Sequence, residues 1–477
     1  MLSCTDSLKR ARPAWFGGAV LFLFALAWRL PYSLTRPITH IDENWFSLPT
    51  VQRMLAGEWL FYISGTNYAA PIHEALSALL ARFFGENLLT LRLPAVLFGA
   101  AAAVMMYAVL RMVVKERAAF ALALLLALPN SAVGRYTTFA HSTYAALLLL
   151  LGVIQWVTFR TDRARTTGNW LLLAALLGTA AYFLRLSFMQ TGPLLAWLGV
   201  RSDIFRRFRE GLGDDALRRR VLRAAAVAAA SALALAPVLY RFLTRRETYM
   251  MSRPEMLLLA AAALLGLAAL VLARPALPTP RRPEWLAAVF VAAALVLIPL
   301  PAKVWFQRVE APRLAARHVK LWAEVSYSLK HLHEMPLQAR LLVQGIGPAI
   351  LIGRWDELEG YPMETEPLTW KCGVTFGVAG LLGMVGLWRW RRGWRYAWGG
   401  KDFVLVAPFL TVVVVVFPSW SLHSETCYRY LAPFLAGFYL LAYRVLQPAI
   451  ERRPRAACAA LGALIVYHGI DCYWHMI

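Results

Sequence analysis

Apolar runs of about 17 to 25 residues recur along the whole chain, and short charged stretches separate them. At a rise of about 1.5 Å per residue, each run is long enough as a helix to cross roughly 30 Å of hydrocarbon. The pattern predicts spans near 15–34, 91–113, 117–134, 142–159, 169–184, 186–200, 221–242, 256–273, 285–301, 372–388, 403–420, 429–447 and 456–472. The expected fold is therefore an all-α polytopic membrane protein with about thirteen transmembrane helices, in the range 11–13. Two connections stand out by length, 35–90 and 302–371. They divide the chain into a membrane core over 1–301 that includes the first long loop, a second long loop over 302–371, and C-terminal spans over 372–477.

Within the first long loop, Pro49 to Ala56 reads as a short helix. Pro71 to Phe84 reads as a second, with apolar residues at 72, 75, 76, 79, 80 and 83. That spacing makes a single apolar stripe, the mark of a helix lying along a membrane surface. In the second loop Ala311 to Leu332 is helical in pattern, followed by an irregular acid-rich stretch from Trp355 to Glu366. The two halves of the chain show no matched pair of broken helices, which speaks against an inverted-repeat transporter.

Composition agrees with this picture and charge refines it. Hydrophobic residues make up 59% of the 477 and charged ones 16%, too few for an ordinary solvated surface. The net charge of +23, from 50 Lys and Arg against 27 Asp and Glu, would suggest nucleic acid in a soluble protein. Here 29 of the 50 fall in the N-terminal tail and in six short loops on one side, among them Arg111–Arg117, Arg201–Arg223 and Arg389–Lys401. Dense charge in short loops orients a membrane protein, so these loops and the N-terminus are expected on the cytoplasmic side. Both long loops then face the opposite compartment, and no nucleic-acid partner is implied.

Lys9, Arg10 and Arg12 before an apolar stretch with an Ala25-x-Ala27 step imitate a signal peptide, but the many later spans favour an uncleaved first helix. The five cysteines form no CxxC pair and no zinc spacing; Cys372 and Cys427 read either as a pair near the outer face or as apolar fillers. His40, His73, His141 and His423 would face outward, yet none sits at ligand spacing with another, so no metal site is assigned. His331 and His333 are two apart on a helical pattern and point in different directions.

The most informative tetrad is His40-Ile41-Asp42-Glu43, just after the first span and beside Trp45 and Phe46. Carboxylates at a membrane boundary are costly unless solvated or used, so this is either a candidate site or a hydrated pair capping the helix at Pro49. Its context narrows the choice. Asp42-Glu43 is followed by Gly57-Glu58-Trp59, then Asn67-Tyr68-Ala69-Ala70-Pro71, then Leu91-Arg92-Leu93-Pro94 at the start of the second span. This order resembles the polytopic glycosyltransferases of the GT-C fold, in the branch that includes dolichyl-phosphate-mannose protein mannosyltransferases and the bacterial lipid A aminoarabinose transferases. The resemblance is fair over roughly 15–190 and extends more weakly to Arg135, to Arg185 and to Arg429-Tyr430. Ala70-Pro71 replaces the double proline common in relatives, and His141-Ser142 stands where many have an Asp, so sugar identity and any divalent metal stay open.

The resemblance implies a glycosyltransferase moving a hexosyl or pentosyl group from a polyprenyl-phosphate donor to a protein, lipid or glycan acceptor, with inversion in one displacement. Such chemistry needs a base for the acceptor hydroxyl, and a carboxylate at the membrane surface can supply it. Asp42 is assigned that role, with Glu43 as its partner in the catalytic pair. The leaving lipid phosphate needs fixed cations or hydrogen-bond donors at headgroup depth. Arg92, Arg135, Arg185, Lys303 and Arg429 are the cationic candidates, each with simple snorkelling to headgroups as the alternative. Tyr430, Tyr136 and His141 are neutral donors; Tyr68 and His73 complete the substrate-binding set, with Trp45, Phe61 and Tyr62 as neighbouring aromatics.

No cofactor is assigned, and a bound divalent metal stays open. The expected location is a bacterial inner membrane with the site facing the periplasm, and the expected partners are the donor, membrane lipid and the acceptor. A lipid-linked sugar flippase and an O-antigen-ligase-like transferase are the rival readings.

Overall fold

The computed structural model of the chain describes residues 14–35, 43–64, 66, 69–138, 143–183, 187–201, scattered positions between 219 and 265, 282–316, 351, 370–392, 400–413 and 432–474. These residues are helical almost throughout. In chain order they form α1 (Ala14–Thr35), a π turn (Glu43–Ser47), α2 (Leu48–Leu55), α3 (Ile72–Phe84), α4 (Leu88–Leu110), α5 (Glu116–Ala127), α6 (Ser131–Tyr136), α7 (Thr143–Arg163), α8 (Thr167–Phe183) and α9 (Phe188–Arg201). Further along lie α10 (Arg282–Leu297), α11 (Pro299–Trp305), α12 (Ala311–Ala316), α13 (Trp370–Arg391), α14 (Phe403–Thr411), α15 (Leu435–Arg452) and α16 (Pro454–Trp474).

Four helices are long and apolar enough to cross a membrane among the described residues: Trp15–Thr35, Leu88–Leu110, Thr143–Arg163 and the run Val289–Leu314. The polytopic, all-helical expectation therefore holds, while the spans predicted at 221–242 and 256–273 lie almost wholly outside the described residues. In α4 and α7, 61% and 72% of the apolar stretch is buried, against 29% in α1, which puts α4 and α7 at the centre of the bundle. Small residues permit this packing. A Cβ on Gly99 of α4 would stand 2.7 Å from the Thr137 carbonyl oxygen, and one on Gly152 of α7 would stand 2.9 Å from Met105.

Local signals explain where α4 begins. Gly85 takes a φ of 78°, a left-handed conformation that glycine adopts without cost, and ends α3. Asn87 then caps α4: its side chain accepts from the Thr90 amide at 2.9 Å, while its own amide donates to the Thr90 hydroxyl at 3.1 Å.

The single span predicted over 117–134 is two helices. Proline has no amide to donate, and Pro129 interrupts the run between α5 and α6. The interruption is capped from outside. Arg29 of α1 donates to the carbonyls of Ala127 and Leu126 at 2.5 and 2.8 Å, and Asp471 of α16 accepts the Ser131 amide at 2.8 Å. Trp28 donates to the Pro129 carbonyl at 3.0 Å. A second difference lies at 285–301, where helix continues with one local irregularity through α11, a π turn (Phe306–Glu310) and α12. The helix predicted over 311–332 thus starts as an extension of the preceding span, and its residues beyond 316 lie outside the described residues.

The surface helix appears as predicted, with a feature the pattern alone does not reveal. His73, Glu74 and Ser77, on the polar face of its first turns, are buried, whereas Arg82 in its last turn is exposed and Leu79 and Phe83 on the apolar stripe are 52% and 74% exposed. A helix that hides most of its polar face and shows its apolar one is built for apolar surroundings.

Candidate functional site

The site grows from the π turn that follows α1. Its first residue, Glu43, is fully buried, and so is Arg92 in the first turns of α4. Arg92 Nε donates to Glu43 Oε1 at 2.8 Å and Nη2 donates to Oε2 at 2.6 Å, a bidentate pair, while Nη1 donates to the Ser33 carbonyl at 2.6 Å. One arginine thereby ties the end of α1, the turn and α4 together. The last residue of the turn, Ser47, donates its hydroxyl to Glu74 Oε1 of α3 at 2.7 Å. Both ends of the turn are held, one by α4 and the other by α3.

A second knot links the two long connections. Arg53 of α2 donates to Glu310 at 2.5 and 3.0 Å and to Glu58 at 3.0 and 2.6 Å, and reaches the Ser64 hydroxyl at 3.0 Å. These bonds hold the guanidinium firmly protonated. Aromatic contacts back this knot: Tyr62 packs on Phe306 and on Tyr182, each with ring centroids 5.8 Å apart, and Phe61 packs on Trp305. Segments 43–64 and 305–311 therefore lie on the same end of the bundle. Beside them an open groove of about 450 Å³ is lined by Met54, Glu58, Trp59, Leu79, Arg82 and Tyr182, with a mostly apolar wall that carries the polar groups of Glu58, Arg82 and Tyr182.

Of the residues singled out in the sequence, the structure brings together Glu43 and Arg92. Arg92 is turned inward onto Glu43 and the Ser33 carbonyl. His73 is buried beside Ser77, whose hydroxyl lies 3.4 Å from Nε2. Arg135 lies on α6, and Lys303 is exposed on α11. Asp42, Tyr68, His141, Arg185, Arg429 and Tyr430 lie outside the described residues. No group of three metal-ligating side chains occurs among the described residues.

Three participants carry no signal in the sequence pattern: Glu74, Arg53 and Glu310. Glu74 reads as the polar face of an amphipathic helix, and Arg53 is separated from Glu310 by 257 positions.

Residues 69–209 match the family model for dolichyl-phosphate-mannose-protein mannosyltransferases. That stretch runs from just before α3 past α9 and includes Glu74 and Arg92, so the GT-C resemblance is supported over the part of the chain that carries these two residues. No curated protein matches the chain at a significant level. Among solved structures it is similar to the archaeal oligosaccharyltransferase AglB of Archaeoglobus fulgidus in complex with an inhibitory peptide and a dolichol-phosphate, at 14% identity and a TM-score of 0.47. The apo form of the Archaeoglobus fulgidus oligosaccharyltransferase gives 15% identity and a TM-score of 0.49. The first comparison covers 97% of this chain and the second 98%, and in both the chain spans 56% of the other's length.

Proposed function

We propose that this protein is an integral membrane glycosyltransferase that moves a sugar from a polyprenyl-phosphate donor to an acceptor hydroxyl on the non-cytoplasmic face. The observation that carries the reading is the doubly held turn: Glu43, next in the chain to Asp42, is locked by a fully buried bidentate pair to Arg92. A general base must be presented in one orientation to take a proton as the acceptor attacks, and a rigid mount serves that need. Asp42 is the base, Glu43 its partner through the turn, and Arg92 the anchor of both. Arg135, Arg185, Lys303 and Arg429, with Tyr68, Tyr430, His73 and His141, form the pool from which the donor's phosphate and sugar are held.

The match over 69–209 supports the sugar-transfer class. The exposed apolar stripe of α3 supports a site at the membrane surface, where the groove beside Trp59 can admit an isoprenoid chain. The charge bias of the short loops supports a non-cytoplasmic position for that surface, opposite the basic loops.

Asp42→Asn is the direct test, with polyprenyl-phosphate mannose and polyprenyl-phosphate aminoarabinose as donor probes. Removing a general base lowers transfer by about 10² to 10⁴-fold. The variant is expected to fold and to retain lipid-phosphate binding while transfer fails. Near-normal transfer would overturn the assignment.

A further inference from the structure

We propose that Glu74 is a positioning residue: through Ser47 it fixes the far end of the Glu43–Ser47 turn and so governs how the chain that carries Asp42 is presented. The inference rests on the assignment of Asp42 as the base, and its geometry is separate from the Glu43–Arg92 pair. Glu74 is fully buried in the first turn of α3. Its Oε1 accepts from Ser47 at 2.7 Å, while Oε2, equally buried, has no hydrogen-bond partner. A carboxylate left half-satisfied in a dry site is costly, and the neutral carboxyl carries a smaller penalty there.

The surroundings agree. Among the described residues, the neighbouring turn and helix starts carry Glu43 in the turn, Arg53 on α2, Arg92 near the start of α4 and Tyr144 at the start of α7, besides His73 and, in the last turn, Arg82 on α3 itself. Arg92 is engaged by Glu43, and Arg53 by Glu58 and Glu310. Burial, opposed by the Ser47 hydroxyl and the residue's own amide, pushes the Glu74 carboxyl up to about 7. The group is therefore neutral on the acid side of neutrality and ionised above it. Because the folded value lies above the unfolded one, the stability that the neutral group contributes is fully present below the ordinary carboxyl range and is lost as pH rises through about 7. The far anchor of the turn loosens on the alkaline side.

Hydrogen–deuterium exchange of the full chain in detergent tests this, read as protection of Glu43–Leu55 after correction for the intrinsic pH dependence of exchange. In the native protein, protection is expected to fall about tenfold from one pH unit below to one unit above neutrality, the change expected when one linked group ionises. Glu74→Gln, neutral at every pH, should keep the higher protection throughout. Glu74→Ala and Ser47→Ala should show low protection at both values; Ser47→Ala carries the test if Glu74→Ala fails to fold. Native-like protection in both alanine variants would overturn the proposal, as would a Glu74→Gln protein that retains the pH dependence. The readout needs no catalysis: if Asp42→Asn transferred sugar normally while the alanine variants loosened the turn, the base assignment would fail and the anchor would stand.

Discussion

Two arginines are each 1% exposed and solve the same problem differently. Arg92 meets an opposite charge, the Glu43 carboxylate, with both forks engaged. Arg29 spends its donors on neutral oxygens, the carbonyls of Leu126 and Ala127 at the end of α5 and the Thr137 hydroxyl at 3.3 Å. Those carbonyls lack helical partners because Pro129 stops the helix, and the end of a helix carries partial negative charge. A buried ion pair is brittle, since removing one member strands the other. A cation that caps a helix end leaves behind only polar groups when it goes. The bundle is therefore expected to be most sensitive at the turn beside Asp42 and to tolerate more at the α5–α6 break.

That contrast can be broken by experiment. The largest effect is expected from Arg92→Met, which strands Glu43 and should cost about 3–5 kcal/mol of stability, measured by denaturant unfolding in detergent. Adding Glu43→Gln should recover most of that loss, because the stranded charge is then gone. Arg29→Met should cost less, about 1–3 kcal/mol, as unpaired carbonyls replace an unpaired ion. If the two single variants were equally destabilised, the distinction between ion pair and helix cap would be wrong. The smallest effect is expected from Asp471→Ala, which removes the cap on Ser131 and should cost about 1 kcal/mol in the same assay.

Much of the helical layout was legible from run length, because crossing hydrocarbon imposes both a minimum length and an apolar composition. The predicted spans 15–34, 91–113, 142–159 and 169–184 became α1, α4, α7 and α8 with boundaries moved by a few residues. The surface helix was legible from its 3.6-residue period. The same period gave no warning that its polar face would be the buried one, since periodicity divides a helix into two faces without saying what each meets. The break at Pro129 was hidden for a related reason. Proline is tolerated within spans when other helices satisfy the freed groups, and here they come from Trp28, Arg29 and Asp471, remote in sequence.

For the candidate site, the Asp42-Glu43 step and Arg92 could be marked in advance, because charged residues at span ends are few and expensive. That Arg92 would close on Glu43, 49 positions away, could not. Nor could the Arg53–Glu310 link, nor Glu74 beneath Ser47. By itself the sequence determined an all-helical membrane protein, its bias of basic charge and which carboxylates follow directly on the first apolar run, because these follow from composition and transfer energies along a single chain. Only the tertiary structure decided which buried charge is paired, which is capped and which is left with one bare oxygen. Those outcomes depend on groups that folding brings within about 3 Å, and no local pattern encodes that distance.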